Sequence, residues 1–344
     1  MTLVFTKETV TARIVQPSGE PVERPVEIRT NPITGRRARI AYSRVKEREP
    51  GTECLPPAPP DAEHSGDCPF CRPQLEQQTP GLEKQLASAG RLCLGQSVLF
   101  PNLFPYAAYS AVSLCGHRHF VEIGTATLEE YRDSLFNCRE YLRRVIHQDP
   151  AAKYVAIAQN HLPSAGGSLV HPHLQVHADR LAPNHHRAWE AYARKYQERE
   201  IRRLLSDYLE YEIQADERYI GSTGPWHWLA AFAPEGFFEL WGILPGHTRI
   251  CQLTPEAITG LAQGILNAQA FYRLLCRNGY NLGLLAVEQK ESPLELRAVL
   301  TVRANYAPWV RSDHTSFEVM LGDMTTFVPP EFTARQARVF WTRD

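Results

Sequence analysis

The chain has 344 residues, 43% hydrophobic and 22% charged, enough to bury one large core or two medium ones, and its length suggests two domains at about 150 residues each. Its 37 basic and 38 acidic residues leave a formal net charge of −1, which excludes a general polyanion binder and gives no net attraction to nucleic acid or an anionic membrane. No uncharged apolar run approaches the roughly 18 residues of a membrane span, and the N-terminal MTLVFTKETVTARI lacks the apolar core of a secretion signal. The expectation is therefore a cytoplasmic protein with no nucleic-acid or membrane partner.

In chain order, the proline-rich stretch EPGTECLPPAPPDAEHSGD (49–67) reads as a surface loop. Helical periodicity runs from Thr127 to His147, opened by a Thr127/Glu130 capping box and striped by Leu128, Tyr131, Leu135, Tyr141, Leu142 and Val145. Strand-like runs follow at YVAIAQN (154–160) and HPHLQVHA (171–178), then one long charged helix over roughly 184–215. Trp226, His227 and Trp228 form an aromatic cluster suited to a core or a dimer contact. Thr254-Pro255-Glu256, an N-cap with proline at the first helical position, opens a helix expected to stop at Gly279. Two more strands, YNLGLLAVEQ (280–289) and RAVLTVRA (297–304), precede a short final helix from Thr333.

These elements suggest a duplication. SAVSLCGHRHF (110–120) before the first capped helix aligns with ELWGILPGHTRI (239–250) before the second, pairing Leu114 with Leu244, Gly116 with Gly246 and His117 with His247. Only the first copy retains histidines in its second strand.

Two motifs carry chemistry. In SAGGSLVHPHLQVHAD (164–179), His171, His173, Gln175 and His177 alternate, so a strand would project them from one face. Gly166, Gly167 and Ser168 just before them offer backbone N–H groups and a hydroxyl suited to phosphate. Cys68-Pro69-Phe70-Cys71 is a CxxC spaced for one tetrahedral zinc; histidines must complete such a site, with His64, His117, His119 and His171 as candidates. The remaining cysteines, at 54, 93, 115, 138, 251 and 276, are scattered and read as reduced thiols.

Together, HPHLQ (171–175), CPFC (68–71), CGH (115–117) and NPITGRRARIAYSR (31–44) resemble galactose-1-phosphate uridylyltransferase and its relatives, the transferase branch of the histidine-triad (HIT) superfamily. The resemblance spans about Asn31 to Met324 and implies an α+β fold of two tandem HIT-like repeats, antiparallel sheets with packed helices, the second repeat catalytically degenerate. The implied organisation is a half at 1–180 carrying zinc and nucleophile, a connecting helix at 181–217, and a second half at 218–344. By position the resemblance puts Cys68, Cys71, His117 and His171 on zinc, with His119 the rival to His117. It makes His173 the nucleophile and sets Gln175 on the phosphoryl oxygens. Arg44, Asn160, Gly167 and Ser168 fall at phosphate-binding positions, and Asn102 and Tyr106 border the nucleobase. It also implies a homodimer.

The implied activity is transfer of a nucleoside monophosphate, UMP favoured, from a nucleoside diphosphate sugar to a sugar 1-phosphate through a nucleotidyl-histidine. Neutral imidazole is a good nucleophile near pH 7 provided its other nitrogen donates elsewhere, and a backbone carbonyl is the expected acceptor. An amide at position 175 holds phosphoryl oxygens without readily activating water, which biases the intermediate toward a phosphate acceptor. Two departures stand out: Arg303-Ala304-Asn305 replaces the His-Ala-His of a second metal site, and Leu321-Gly322-Asp323-Met324 replaces the sugar-contacting segment. A phosphorylase of ADP-sugar or dinucleoside polyphosphate, using inorganic phosphate, fits HPHLQ equally, and a non-catalytic nucleotide-binding protein is the reading from another class.

Overall fold

A computed structural model describes residues 3–42, 46–51, 54–306 and 312–341. Its first half comprises β1 (Thr6–Val15), β2 (Pro21–Thr30), β3 (Arg37–Ala41), α1 (Gln74–Gln78), β4 (Leu92–Leu94), β5 (Ser97–Pro101), β6 (Tyr109–Leu114), α2 (Leu128–Gln148), β7 (Tyr154–His161) and β8 (His173–Asp179). The rest comprises α3 (Asn184–Glu200), α4 (Leu204–Ala215), β9 (Tyr219–Thr223), β10 (Trp226–Ala230), β11 (Phe237–Leu244), α5 (Pro255–Leu274), β12 (Tyr280–Val287), β13 (Leu296–Val302), β14 (Met324–Thr326) and α6 (Pro330–Ala337).

Ten strands form one antiparallel sheet in the order β4-β5-β6-β8-β7-β12-β13-β11-β10-β9. Read from each outer edge to the centre, the neighbours follow the same sequence of connections, and β7 meets β12 in the middle with Asn160 opposite Asn281. A smaller sheet, β1-β2-β3-β14, is antiparallel except for the parallel β3/β14 pair.

Alternation sorts the large sheet into two faces. Leu174, Val176 and Ala178 of β8 and Leu296, Ala298, Leu300 and Val302 of β13 join the main core with Tyr131, Leu135 and Leu142 of α2 and Ile258, Leu261 and Ile265 of α5. Both helices have the caps their sequences require: Thr127 and Glu130 form the reciprocal box, and the Thr254 hydroxyl accepts from Ala257 N at 3.1 Å. The other face is treated differently in each half. Over the second half, Trp189 of α3 and Leu204, Leu205 and Tyr208 of α4 cover Leu229, Trp241 and Ile243. Over the first half, only a small cluster of Leu75, Val98, Phe100, Val112 and Leu114 with Phe70 stands there, leaving room for a site.

Four expectations are corrected. The single helix over 184–215 is two, because Ile201 takes a left-handed conformation (φ 54°) that ends α3 before α4 begins. The helix expected to run to Gly279 ends at Leu274. Leu114 and Leu244 do not share a face, since Leu114 packs on the outer side and Leu244 in the helix-covered core. Cys54 and Cys276, separated by 222 residues, form a disulfide rather than two free thiols. Trp226 and Trp228 are fully buried, their indole N–H groups donating to Ala257 O and Thr223 Oγ1, both at 2.7 Å, so the cluster is core.

Candidate active site and metal centre

The HPHLQ segment straddles a strand boundary. His171 and Pro172 precede β8, whereas His173, Gln175 and His177 lie in it, opposite in face to the core residues Leu174, Val176 and Ala178. His171 is thus free to turn toward the CxxC loop while His173 stays fixed by the ladder, paired with Leu114 of β6.

The metal-competent group is Cys68, Cys71, His119 and His171, whose ligand atoms all lie within 4.8 Å of one another. Cys71 Sγ is 3.3 Å from His119 Nδ1 and 3.5 Å from His171 Nδ1, and Cys68 Sγ is 3.8 Å from His171 Nδ1. A tetrahedral ion with metal–sulfur bonds of about 2.3 Å and metal–nitrogen bonds of about 2.0 Å requires S···N edges near 3.5 Å, so the donor set fits one four-coordinate metal. The tautomers agree: His171 Nε2 donates to Gly116 O at 3.2 Å and His119 Nε2 to Asp61 O at 2.7 Å, which leaves both Nδ1 lone pairs facing the thiols. Burial lowers the His171 pKa to about 4, and burial together with the neighbouring Cys68 pushes the Cys71 thiol up to about 11, so metal uptake would displace protons from sulfur.

His117 is exposed and stands outside this group. β6 ends at Leu114, and beyond it the chain bends, so the next residues are no longer sorted by alternation; His119, anchored by the Asp61 carbonyl, reaches the thiols instead.

His173 is buried, and its Nδ1 donates to the carbonyl of His171 at 2.8 Å. A carbonyl only accepts, so the proton sits on Nδ1 and Nε2 keeps its lone pair. Burial lowers the His173 pKa and so favours the neutral ring, opposed in part by the hydrogen bond to the His171 carbonyl. Phe70 of the CxxC turn packs edge-on against both His171 and His173, with centroids 6.0 and 5.3 Å away. The metal loop thereby buttresses the imidazole it does not ligate.

Gln175 stands two residues further along β8, half-buried, opposite Val112 and Ala158. Asn160 Oδ1 accepts from Asn281 Nδ2 at 2.7 Å, and the same amide donates to Ala165 O at 2.8 Å. Arg303 Nη1 donates to Asn281 Oδ1 at 2.8 Å while its other nitrogens grip Asp313. The second half thus positions both Asn160 and the glycine loop of the first. Gly167 is required by close approach, since a Cβ there would sit 2.8 Å from the Asn160 carbonyl oxygen. Exposed Ser168 lines, with Asp61, Asp67 and His119, a cavity of about 360 Å³ beside the metal group.

The structure does not gather every candidate. Asn102 and Tyr106 flank the opposite end of β6, where Tyr109 pairs with Ala178 five residues beyond His173, about 17 Å along the strand at 3.4 Å per residue. Asn102 Oδ1 caps Phe104 N at 3.1 Å, and Tyr106 is 94% exposed. His177 bonds Ser110 at 3.1 Å. Arg44 lies outside the described residues. His161, not singled out from sequence, is buried with Nε2 unpartnered and stacks on Tyr280 at 4.9 Å; burial, then repulsion from His173, lowers its pKa to about 4. Its position at the end of a clean β7 alternation was the signal available.

This fold is similar to those of galactose-1-phosphate uridylyltransferase-like proteins of known structure. The chain is similar to an ADP-glucose phosphorylase from Arabidopsis thaliana solved with bound ADP-glucose (TM-score 0.70, 18% identity, 91% of this chain and 98% of that one). It is also similar to a galactose-1-phosphate uridylyltransferase-like protein from the same plant (0.68, 18%, 90% and 98%) and to a uridylyltransferase (0.65, 18%, 91% and 98%). An uncharacterized protein of Archaeoglobus fulgidus is 28% identical over 344 residues, covering 98% of this chain and 99% of that protein. No family model matches the chain. No helix among the described residues is long and apolar enough to cross a membrane.

Proposed function

We propose that the protein is a nucleotidyltransferase that moves a nucleoside monophosphate, UMP in the favoured reading, from a nucleoside diphosphate sugar to a sugar 1-phosphate by way of His173. The observation that carries this reading is the Nδ1–H bond from His173 to the His171 carbonyl, which leaves Nε2 as the nucleophile. In the first step Nε2 attacks the α-phosphorus and the bond to the bridging oxygen breaks, releasing sugar 1-phosphate. In the second, an oxygen of the incoming sugar 1-phosphate attacks the phosphoramidate and His173 leaves, again neutral at Nε2. Gln175, Ser168, the backbone around Gly167 and Asn160 surround the phosphoryl group, Arg44 adds a cation, and the base lies along β8 toward Asn102 and Tyr106.

Two cysteines and two histidines form the closed ligand set of structural zinc. Zinc held by Cys68, Cys71, His119 and His171 would supply a cross-link between the CxxC turn and the start of β8, holding Phe70 on His173. The shared strand order supports tandem HIT-like repeats, with halves at 1–180 and 218–344 joined by the segment at 181–217; a homodimer remains the expected assembly.

A second reading, phosphorolysis of an ADP-sugar or dinucleoside polyphosphate with inorganic phosphate, needs no hexose on the acceptor and is favoured by one observation. In the segment aligned with the sugar-contacting stretch, Asp323 is engaged by Arg39 at 2.7 Å and Met324 is buried in β14, so neither is free to hold a hexose. Incubation with UDP-glucose or ADP-glucose, each with galactose 1-phosphate or phosphate as acceptor, separates the two. Turnover with sugar phosphate supports the transferase; turnover only with phosphate establishes the phosphorylase.

A further inference from the structure

The outer face of the second half encloses a cavity at stations equivalent to those of the nucleophile. On β8, His173 stands opposite Leu114 of β6 and Gln175 opposite Ala158 of β7. On β13, two residues with the same spacing and the same kinds of neighbour are Arg297, opposite Ile243 of β11, and Val299, opposite Gly283 of β12. In the first half this face is left to the metal loop; in the second, α3 roofs it and a space of about 210 Å³ remains.

Arg297 is the cation of this cavity, and its hydrogen-bonding capacity is unused. Its guanidinium lies 3.6 Å from the Trp189 ring centroid and 4.1 Å from that of Trp241, so two indoles hold the cation in place. None of its N–H donors has an acceptor among the described residues. The carboxylates around it, Glu239 before Glu235, attract the guanidinium through charge but take their hydrogen bonds from other donors. Glu239 accepts from Trp241 Nε1 and Glu235 N; Glu295 accepts from Ser206 N, Ser206 Oγ and Gly246 N; Glu235 pairs with Arg36. A partly buried guanidinium with free, pre-oriented donors is complementary to a planar anion that accepts from two nitrogens at once.

The floor gives an independent indication. Gly283 sits in the middle of β12, where glycine weakens a strand and frequently marks close approach of a ligand. A Cβ at this position would meet nothing within 4 Å, and its φ is not one that requires glycine. Neither backbone conformation nor packing explains the missing side chain, whereas open space above the sheet does. The surrounding walls, Leu285, Leu294 and Val299, are apolar. An apolar cavity of about 150 Å³ accommodates benzene, so the volume here suits one ring with a carboxylate and is too small for a nucleotide.

We infer that this cavity is a second ligand site, distinct from the nucleotidyl-transfer site, that binds a small organic acid: the carboxylate pairs with Arg297 and the apolar body lies over Gly283 against Leu285, Leu294 and Val299. The inference does not depend on the reaction proposed for His173.

Titration of 4-fluorobenzoate against the full chain, followed by fluorine NMR, tests it. Saturable one-to-one binding is expected, at least tenfold weaker in Arg297→Gln, tenfold weaker in Gly283→Val, which fills the floor while leaving the cation, and unchanged by added ADP-glucose. Circular dichroism and thermal melting of both variants confirm folding, and either folded variant suffices for the comparison. Absence of saturable binding at millimolar probe, equal affinity in a folded variant, or competition by ADP-glucose would overturn the assignment.

Discussion

His173 Nδ1 donates to the carbonyl oxygen of His171, 2.8 Å away, so the proposed nucleophile takes its tautomer from the backbone of a metal-competent residue. The ring of His171 turns to the CxxC turn while its carbonyl turns to His173. Metal binding and nucleophile alignment are therefore linked through one residue.

That linkage makes the ligand set testable. His119→Ala and Cys68→Ser are expected to lose the bound metal and to lower Tm by about ten degrees or more, because structural zinc contributes directly to folding and each kcal/mol lost is roughly 2–4 °C in a chain of this size. His117→Ala should keep both metal and Tm, since its ring is outside the cluster. Metal analysis and thermal melting of the three variants check this; metal loss in His117→Ala with retention in His119→Ala would reverse the assignment.

Asn281 belongs to the second half yet holds Asn160 Oδ1 and Ala165 O of the first. Asn281→Ala leaves those acceptors without their donor, a penalty of about 1–3 kcal/mol, and displaces the proposed phosphate cradle. Steady-state kinetics should show kcat/KM reduced by about tenfold or more, at about 1.4 kcal/mol per decade, with metal content unchanged. An Asn281→Ala enzyme with parental kcat/KM would remove the second half from the positioning role.

The acid limb of stability should report Glu331. Arg29 and Arg218, each about 1% exposed, converge on this carboxylate at 2.8 Å, joining β2 and the start of β9 to α6. Burial alone would raise its pKa, but hydrogen bonds and charge from Arg29, with help from Arg218, hold it at about 2 against an ordinary 4.5. A depressed carboxylate pKa gives stability that is full above about pH 4.5 and is lost as pH falls through about 2. Glu331→Gln is expected to cost about 3 kcal/mol at neutral pH, and the difference in unfolding free energy from the parent should shrink as pH is lowered from about 4.5 toward 2. A constant difference across that range would contradict it.

What the sequence disclosed follows from physical periodicity. The capping box of α2 and the alternation of β8 are local, and both elements lie within one or two residues of expectation. The choice between His117 and His119 was not local: it depended on where β6 ended and on a carbonyl at Asp61, 58 residues away. The disulfide joins cysteines 222 residues apart, one of them in the proline-rich loop, with no spacing signal. The break at Ile201 rests on a left-handed residue that is neither glycine nor asparagine, the types that announce such a stop. His161 and Asn281 acquire meaning only because β7 and β12 meet at the centre of one sheet.

The central claim is a covalent nucleotidyl group on His173, and intact-protein mass spectrometry after brief incubation with UDP-glucose and, separately, ADP-glucose tests it directly, with alkaline quenching because a phosphoramidate is acid-labile. A mass gain of one nucleoside monophosphate is expected with one of the donors, absent from His173→Ala, and the donor that gives it identifies the base. A gain that persists in His173→Ala, or none with either donor in a metal-loaded, folded protein, would contradict it.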